Sequence, residues 1–327
     1  MYLDSLDRKL LNLVQMKFPL TTEPYTDLGL WLGIDGDEVL HRIKQLKAKG
    51  IIRQISPIFD ARSLGYQTTL VAARVPEHQV DKAARLIVKH PGISHGYERD
   101  HHFNLWFTLA LPPEAGMETE LQKLSTLIGA EAILELPALK LFKIGAYFDL
   151  AGDGEHMLDT SVAPPSVLHQ KADLSPTDKA VINELQQELP LVKRPFDMMS
   201  ARLTMDVGKF LAYCHSLQQH GIMRRFSASI RHNNVGFKAN AMTCWVAPPE
   251  VVEIAGRKAA AFREISHCYE RKTSPLWPYN LFTMIHGHTR EDCQTIADKV
   301  SRETGLDENV LLFSIKELKK ARVKYLL

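Results

Sequence analysis

A short polar motif occurs twice in this chain of 327 residues. Residues 93–99 have the sequence Ile-Ser-His-Gly-Tyr-Glu-Arg, and residues 265–271 have the sequence Ile-Ser-His-Cys-Tyr-Glu-Arg. Histidine gives and takes protons near neutral pH, and arginine binds carboxylates through its planar guanidinium. A duplicated set of these groups predicts two similar polar sites, with one pocket in each half of the chain.

Each motif has the length of a short strand, in which side chains alternate between the two faces of a sheet. One face then carries the histidine, tyrosine and arginine of each copy: His95, Tyr97 and Arg99, and His267, Tyr269 and Arg271. Glu98 and Glu270 fall on the opposite face, where we expect structural ion pairs. The histidines are candidate proton donors, although a packed histidine bonded to a carbonyl would show the same pattern. The tyrosines are candidate active-site hydroxyls or, alternatively, aromatic residues of an interface.

One stretch in the second half of the chain is basic and lacks acidic residues. Residues 221–240 contain no Asp or Glu but four cations, Arg224, Arg225, Arg231 and Lys238. The matching stretch of the first half contains Arg53 and Arg62, with Asp60 as its one acid. This composition predicts an anion-binding site, although a solvated basic loop would have a similar composition.

The duplication extends through nearly the whole chain. Gly50-Ile51-Ile52-Arg53, for example, returns 171 residues later as Gly221-Ile222-Met223-Arg224. Apolar spacing predicts helices over residues 3–17, from Pro24, and from Asp35 or Gly36 to Lys49. A strand follows, and then a β-α-β-β-α-β pattern whose last strand covers 133–142 in the first copy and about 310–315 in the second.

This order predicts an α+β fold built by tandem duplication. Each half contains a winged helix-turn-helix domain followed by a ferredoxin-like βαββαβ domain. We place the first pair of domains at residues 1–60 and 61–150, a linker at 151–175, and the second pair at 176–231 and 232–327. Two copies in one chain predict an internal pseudo-dimer, and a homodimer of the whole chain is also possible.

Composition narrows the class of protein. Hydrophobic residues make up 45% and charged residues 24% of the chain, as in ordinary globular proteins. No apolar run is long enough to cross a bilayer and the N-terminus does not resemble a signal peptide, so we expect a cytoplasmic protein. The four cysteines are scattered, which fits a reducing compartment and gives no zinc or iron–sulfur signature. A net charge of +2 is low for a protein that wraps DNA.

The helix-turn-helix pattern, Gly50-Ile51-Ile52, Leu64-Gly65-Tyr66 and the βαββαβ unit together resemble the Lrp/AsnC family of regulators. Within that superfamily the chain is similar to the siroheme decarboxylases, whose two homologous subunits are sometimes fused. Phe18-Pro19-Leu20 with Pro24-Tyr25, the doubled Ser-His-x-Tyr-Glu-Arg motif and the segment 272–286 carry this resemblance. It implies loss of two acetate carboxylates of siroheme, at ring carbons 12 and 18. The product, 12,18-didecarboxysiroheme, feeds heme d1 or alternative heme biosynthesis.

Siroheme carries eight carboxylates around an iron macrocycle, so its site needs fixed cations and apolar walls. The arginines are candidate binders of these carboxylates: Arg53, Arg99, Arg224, Arg225, Arg231 and Arg271. The macrocycle can accept the electron pair of the broken bond, so we expect no cofactor beyond the substrate. His95, His267, Tyr97 and Tyr269 are the candidate catalytic residues.

The segments after the two motifs differ. His101 and His102 follow the first motif and either bind the iron or the substrate carboxylates, or simply form a turn. Lys272, Trp277 and Tyr279 follow the second motif, and we predict that they bind substrate through a charge and aromatic walls. No other metal site is expected.

Two alternatives belong to different classes of protein. A DNA-binding regulator would use residues at the start of a recognition helix, but the first candidate helix begins Asp35-Gly36-Asp37-Glu38, which would repel phosphate. A sensor that binds heme or siroheme without turnover would need the same pocket as the enzyme. Release of carbon dioxide would distinguish the enzyme from the sensor.

Overall fold

The two halves of the chain begin with equivalent groups of three helices and a strand. The computed structural model describes residues 3–145, 150, 171–231 and 239–326. The first group comprises α1 (Ser5–Met16), α2 (Pro24–Leu32), α3 (Gly36–Ala48) and β1 (Ile52–Phe59), and the second comprises α6 (Pro176–Leu185), α7 (Pro195–Arg202), α8 (Val207–Gln219) and β7 (Met223–Ile230). Pro24 occupies the first turn of α2, where its missing N–H is not needed. Gly50 has φ +69° just after α3, as predicted for a glycine that ends a helix.

Each group is followed by a β-α-β-β-α-β unit, which confirms the predicted fold class. The first unit comprises β2 (Gln67–Arg74), α4 (Val80–Lys89), β3 (Ile93–Arg99), β4 (Leu105–Leu111), α5 (Met117–Ile128), β5 (Ala132–Leu136) and β6 (Ala138–Ile144). The second comprises β8 (Ala239–Trp245), α9 (Val252–Ala261), β9 (Ile265–Arg271), β10 (Leu281–Gly287), α10 (Arg290–Thr304) and β11 (Asn309–Lys320). Both copies of the polar motif are strands, β3 and β9, as predicted.

The last strand of each unit crosses to the other half of the chain. The single strand predicted over 133–142 is two strands, because Pro137 has no N–H to continue the ladder. β5 pairs with β2 of its own half, whereas β6 pairs with β9 of the other. The strand predicted at about 310–315 is longer, and residues 309–313 of β11 pair with β8 while residues 314–320 pair with β3. Each half therefore completes the edge of the other half's sheet.

The strands form one nine-stranded sheet in the order β5-β2-β4-β3-β11-β8-β10-β9-β6. Helices α4 and α5 pack on the outer face of the first unit, and α9 and α10 pack on that of the second. The inner faces share a core to which both halves contribute, including Trp106, Met242, Trp277 and Phe282. This arrangement brings the motif faces of β3 and β9 toward a common interior.

The helical domains of the two halves also form one unit. Strands β1 and β7 pair antiparallel in a two-stranded ribbon, and their helices share one apolar core. The backbone after β11 returns to this core, where the Tyr325 ring contacts Tyr66 with centroids 4.9 Å apart. The ribbon and the returning C-terminal segment lie next to the ends of β3 and β9 that carry the histidines.

Most of the predicted linker, residues 151–170, lies outside the described residues. None of the helices in the described ranges has the length and apolar content needed to cross a membrane.

Candidate active site

A β-bulge at each motif brings a serine and a histidine together. His95 lies opposite Thr108 and Ile93 lies opposite Leu109, so Ser94 is the extra residue of β3. The same irregularity occurs in β9, between Ile265 and His267. Side chains of adjacent residues normally point to opposite faces, but a bulge re-aims one of them. Each bulge thus allows the serine hydroxyl to approach the neighbouring imidazole.

The serines hold both imidazoles through the same nitrogen. Ser94 Oγ lies 2.9 Å from His95 Nδ1, and Ser266 Oγ lies 2.8 Å from His267 Nδ1. Within the described part of the chain, neither Nε2 atom has a hydrogen-bond partner. Each Nε2 atom could therefore bond to a substrate without losing a partner among the described residues.

The histidine, tyrosine and arginine of each motif share one face, as alternation predicted. The His267 and Tyr269 rings are stacked with centroids 6.3 Å apart, and the Arg271 guanidinium lies 4.7 Å from the Tyr269 centroid. Arg99 lies 5.3 Å from the Tyr97 centroid in the same way. Each motif is thus a row that starts at a histidine and ends at an arginine.

The two arginines end in the protein interior. Arg99 is 2% exposed and donates to the Leu312 carbonyl, and Arg271 is 9% exposed and donates to the Leu136 carbonyl. Burial lowers the pKa of each guanidinium to about 10. Their positions support the tyrosine rings and the exchanged strands, and they do not form an open carboxylate clamp.

Four cations lie around the histidines, and we call Arg53, Arg225, Lys320 and Arg322 the cation cluster. Lys320 pairs directly across the strands with His95. Arg53 contacts the Glu317 carboxylate at 3.0 Å and donates to the Lys320 carbonyl. Arg225 packs on the backbone of Gly145, where a Cβ would lie 3.0 Å from its Nη1.

The cation cluster carries more positive charge than the carboxylates of the described residues neutralise. Burial lowers the pKa of Arg225, and also that of Lys320. The Arg322 pKa falls to about 10, through burial and then the charge of Arg225. Among the described residues we find no carboxylate bonded to Arg225 or Arg322. Desolvated cations without counterions form a preorganised site for a polyanion.

The same surroundings keep both histidines neutral in the free protein. Burial lowers the pKa of His95 to about 4, with a further contribution from Lys320. The pKa of His267 falls to about 3, through burial first and then the charges of His95 and Arg225. An anionic ligand would oppose these effects and favour protonation of the imidazoles.

We expect the free protein to lose stability as the pH falls from about 6.5 toward 3. The unfolded chain binds protons on these histidines near pH 6.5, whereas the folded chain binds them only near pH 4 and 3. The free energy of unfolding therefore decreases through this window, by on the order of a few kcal/mol. Thermal unfolding between pH 7.5 and 4.5 should show a shallower decline for a His95→Gln, His267→Gln double variant. The exposed His78→Gln control should follow the wild type, and equal slopes in all three would contradict the assignment.

The two motif histidines lie close enough for their charges to interact. His95 contributes directly to the lowered pKa of His267, so the two rings lie within each other's electrostatic range. Their cross-strand neighbours differ, because His95 faces Lys320 and His267 faces Ile144. The site is thus pseudo-symmetric in shape and unequal in charge.

The other predicted basic residues occupy different positions. Arg224 is paired with the buried Asp60 carboxylate at 2.6 Å, close to Tyr269. Arg231 is exposed at the end of the ribbon, and Lys238 lies outside the described residues. Lys272 is exposed, and its backbone N–H donates to the Pro137 carbonyl. Of the three described cations in residues 221–240, Arg225 is the one that belongs to the cation cluster.

His101 and His102 lie at the far end of β3, four or more residues beyond Tyr97. Their rings have centroids 3.9 Å apart and are tilted by 37°, and His101 Nδ1 accepts the Phe103 N–H. His101 lines a cleft of about 350 Å³ whose carboxylates are Glu77, Asp81, Glu98 and Asp100. Asp81 and Asp100 are paired with Lys316 and Arg290, but Glu77 and Glu98 have no ion pair among the described residues and disfavour a polycarboxylate, so we leave both histidines out of the proposed site.

The aromatic residues after the second motif contribute to packing. Trp277 is 1% exposed and lies in the core between the inner faces, 5.1 Å from the Trp106 ring. Tyr279 packs against it at 5.0 Å. Glu98 and Glu270 face away from the histidines as expected, but neither forms an ion pair within the described ranges. The structural ion pairs that we predicted for these glutamates are therefore not formed there.

Lys320 and Arg322 were missed by sequence reasoning, although the sequence contains a signal for them. The two final strands end differently, with Lys319-Lys320-Ala321-Arg322 in one half and Lys143-Ile144-Gly145 in the other. Comparing the halves beyond the motif would have shown a basic segment without a counterpart. Only the exchange of strands shows that this segment lies beside His95.

Comparison with known proteins identifies the family. A model of the AsnC-like ligand-binding domain matches residues 63–143 and 234–319, and a model of the siroheme decarboxylase NirDL-like HTH domain matches residues 7–53 and 178–224. A siroheme decarboxylase of Hydrogenobacter thermophilus is 38% identical over 97% of this chain and 94% of that protein. This chain belongs to the siroheme decarboxylase family. The fused arrangement is that of the NirDL type, as the sequence predicted.

Two further relatives match this chain, one over a single half and the other over nearly the whole length. The siroheme decarboxylase alpha subunit of Desulfovibrio desulfuricans is 42% identical over 46% of this chain and 87% of that subunit. A crystal structure of the siroheme decarboxylase NirDL in complex with an iron-uroporphyrin III analogue matches with a TM-score of 0.72 and 35% identity. That match covers 98% of this chain and 94% of the other. The fold with two helix-turn-helix and two AsnC-like domains is thus shared along nearly the whole chain.

Proposed function

We propose that this protein decarboxylates siroheme, converting two acetate side chains to methyl groups and releasing two molecules of carbon dioxide. The observation that carries this proposal is the pair of serine-held histidines beside Arg225 and Arg322, which have no carboxylate partner among the described residues. The cation cluster would bind the peripheral carboxylates of the macrocycle. The product, 12,18-didecarboxysiroheme, would enter heme d1 or alternative heme biosynthesis.

Each decarboxylation breaks the bond between an acetate methylene and its carboxylate carbon. The electron pair of that bond passes to the methylene carbon, where the conjugated ring delocalises it, and carbon dioxide leaves. A proton from Nε2 of His95 or His267 then forms the new C–H bond, which consumes one proton for each carbon dioxide. No further cofactor is needed in this scheme, since the substrate itself delocalises the charge.

The tyrosines and arginines of the rows have supporting roles in this proposal. Tyr97 and Tyr269 form the wall beside the imidazoles, and burial raises both of their pKa values, that of Tyr97 to about 12. They therefore remain neutral and do not repel the substrate. Arg99 and Arg271 fix these rings from the interior side.

The helix-turn-helix domains do not favour binding to DNA. The N-terminus of α3, which would approach the bases, carries Asp37 and Glu38. Asp37 is paired with Lys193 of the other half at 2.6 Å, and Arg42 contacts Glu38 at 2.7 Å. These acidic groups leave the N-terminus of α3, the part that would approach DNA, without a positive charge to attract phosphate.

Anaerobic incubation with siroheme, followed by mass analysis of the tetrapyrrole, tests the proposal. We expect successive species that have lost one and then two carbon dioxide units. Siroheme that is bound tightly but recovered unchanged would instead identify a non-catalytic binding protein.

A further inference from the structure

The second half of the site contains a third histidine that the first half lacks. His286 Nε2 lies 2.8 Å from Ser266 Oγ, which lies 2.8 Å from His267 Nδ1. The three side chains form a continuous chain of hydrogen bonds from β10 to the Nε2 edge of His267. Ser266 Oγ also lies 3.4 Å from the Met284 carbonyl, a longer contact than either of these two.

The equivalent positions of the first half cannot form this chain. Ala110 occupies the place of His286, as the pairing of β4 with β2 and of β10 with β8 shows. Ser94 Oγ has the Thr108 hydroxyl at 3.4 Å. The hydrogen-bonded chain is therefore a property of the second half alone.

We propose that His286 supplies, through the Ser266 hydroxyl, the proton that His267 delivers to the substrate. This inference rests on the proposed decarboxylase function. His286 acts through Ser266 and does not touch the substrate, so it is a positioning residue for His267.

The transfer balances in three coupled steps. The His267 Nε2–H bond breaks as the new C–H bond of the substrate forms. Nδ1 of the same ring takes the hydroxyl proton of Ser266, and the serine oxygen takes the Nε2 proton of a protonated His286. His286 passes from cation to neutral imidazole, His267 is neutral before and after, and no oxidation or reduction occurs.

The surroundings of His267 in the free protein fit this division of roles. His267 lies among cations, and burial together with those charges disfavours an imidazolium at this position before the substrate binds. The His286 backbone N–H donates to the Glu264 carbonyl, in the turn between α9 and β9 where the Arg263 and Glu264 side chains are exposed. The backbone of His286 is thus bonded to an exposed turn, and its half-buried imidazole lies against Ser266.

A His286→Gln variant tests the relay, because glutamine can keep the hydrogen bond to Ser266 but cannot supply a proton. In anaerobic single turnovers we expect one of the two decarboxylation steps to slow by about 10-fold to 100-fold, with accumulation of the singly decarboxylated tetrapyrrole. Affinity for an iron-uroporphyrin analogue should be unchanged. When the rate of this step is plotted against the deuterium fraction of the solvent, the wild type should give a curve and the variant a straight line. The reason is that fewer protons move together in the variant.

A double-mutant cycle provides the matched control. Ser266→Ala should slow the same step, and combining it with His286→Gln should slow it no further, because both variants interrupt one chain. Ser94→Ala changes the equivalent position of the first half. Its effect on the rate and the effect of His286→Gln should multiply. An unchanged rate in His286→Gln, a multiplicative effect with Ser266→Ala, or weaker analogue binding at an unchanged rate would overturn the relay. A wild-type protein that leaves siroheme intact would instead overturn the proposed function itself.

Discussion

Replacing either motif histidine with alanine is expected to lower the rate of siroheme decarboxylation by about 10² to 10⁴, the usual contribution of a positioned general acid. Each imidazole is held through Nδ1 by its serine, which leaves Nε2 as the proton-donating atom. Alanine removes the proton donor and leaves the cation cluster intact. Siroheme should therefore still bind to His95→Ala and His267→Ala with an affinity close to that of the wild type.

Single-turnover rates and spectroscopic titration with siroheme would separate these two effects. His95→Asn and His267→Asn are useful companions, because the asparagine amide can keep the contact with the serine without acting as an acid. His41→Ala, on an exposed face of the first helix-turn-helix domain, is the control that should turn over normally. Normal rates in both motif variants would show that the protons come from elsewhere.

Replacing Arg225 with methionine is expected to weaken siroheme binding by about 10-fold to 100-fold, the range for losing a charge-assisted hydrogen bond. The Arg225 guanidinium is desolvated, and within the described residues no carboxylate neutralises it. Removing an unpaired buried charge relieves an unfavourable term in the folded protein. The free energy of unfolding without ligand should consequently stay the same or increase by about 1 kcal/mol.

Weaker siroheme binding together with unchanged or increased stability would distinguish a ligand-binding guanidinium from a structural one. Arg231→Met removes an exposed cation from the same ribbon and should change neither quantity appreciably. Lys320→Met should weaken binding in the same way as Arg225→Met, since Lys320 is also part of the cation cluster. A loss of stability in Arg225→Met with unchanged affinity would mean that the guanidinium has a structural partner and is not a ligand-binding group.

Local chemistry allowed much of the fold to be predicted from the sequence. Pro24 and Gly50 mark helix ends because one lacks an N–H and the other tolerates positive φ. Alternation along a strand correctly placed His267, Tyr269 and Arg271 on one face, since that depends only on the geometry of the strand.

The features that were missed depend on partners distant in sequence. The β-bulge that joins Ser94 to His95 is defined by the opposing strand β4, and no property of the motif alone requires it. Lys320 reaches His95 through a strand pairing that spans more than half of the chain. Trp277 is an aromatic residue of the kind that forms the wall of a binding site, but strand exchange encloses it in the core.

Strand exchange also has a consequence for gene fusion. Ile144 is encoded in the first repeat but lies beside His267, and Lys320 is encoded in the second but lies beside His95. A homodimer made from one repeat would carry either two isoleucines or two lysines at these places. Joining both repeats in one polypeptide fixes their stoichiometry at one to one whatever the level of expression. Each repeat can then accumulate its own substitutions while every molecule still contains one site of each kind.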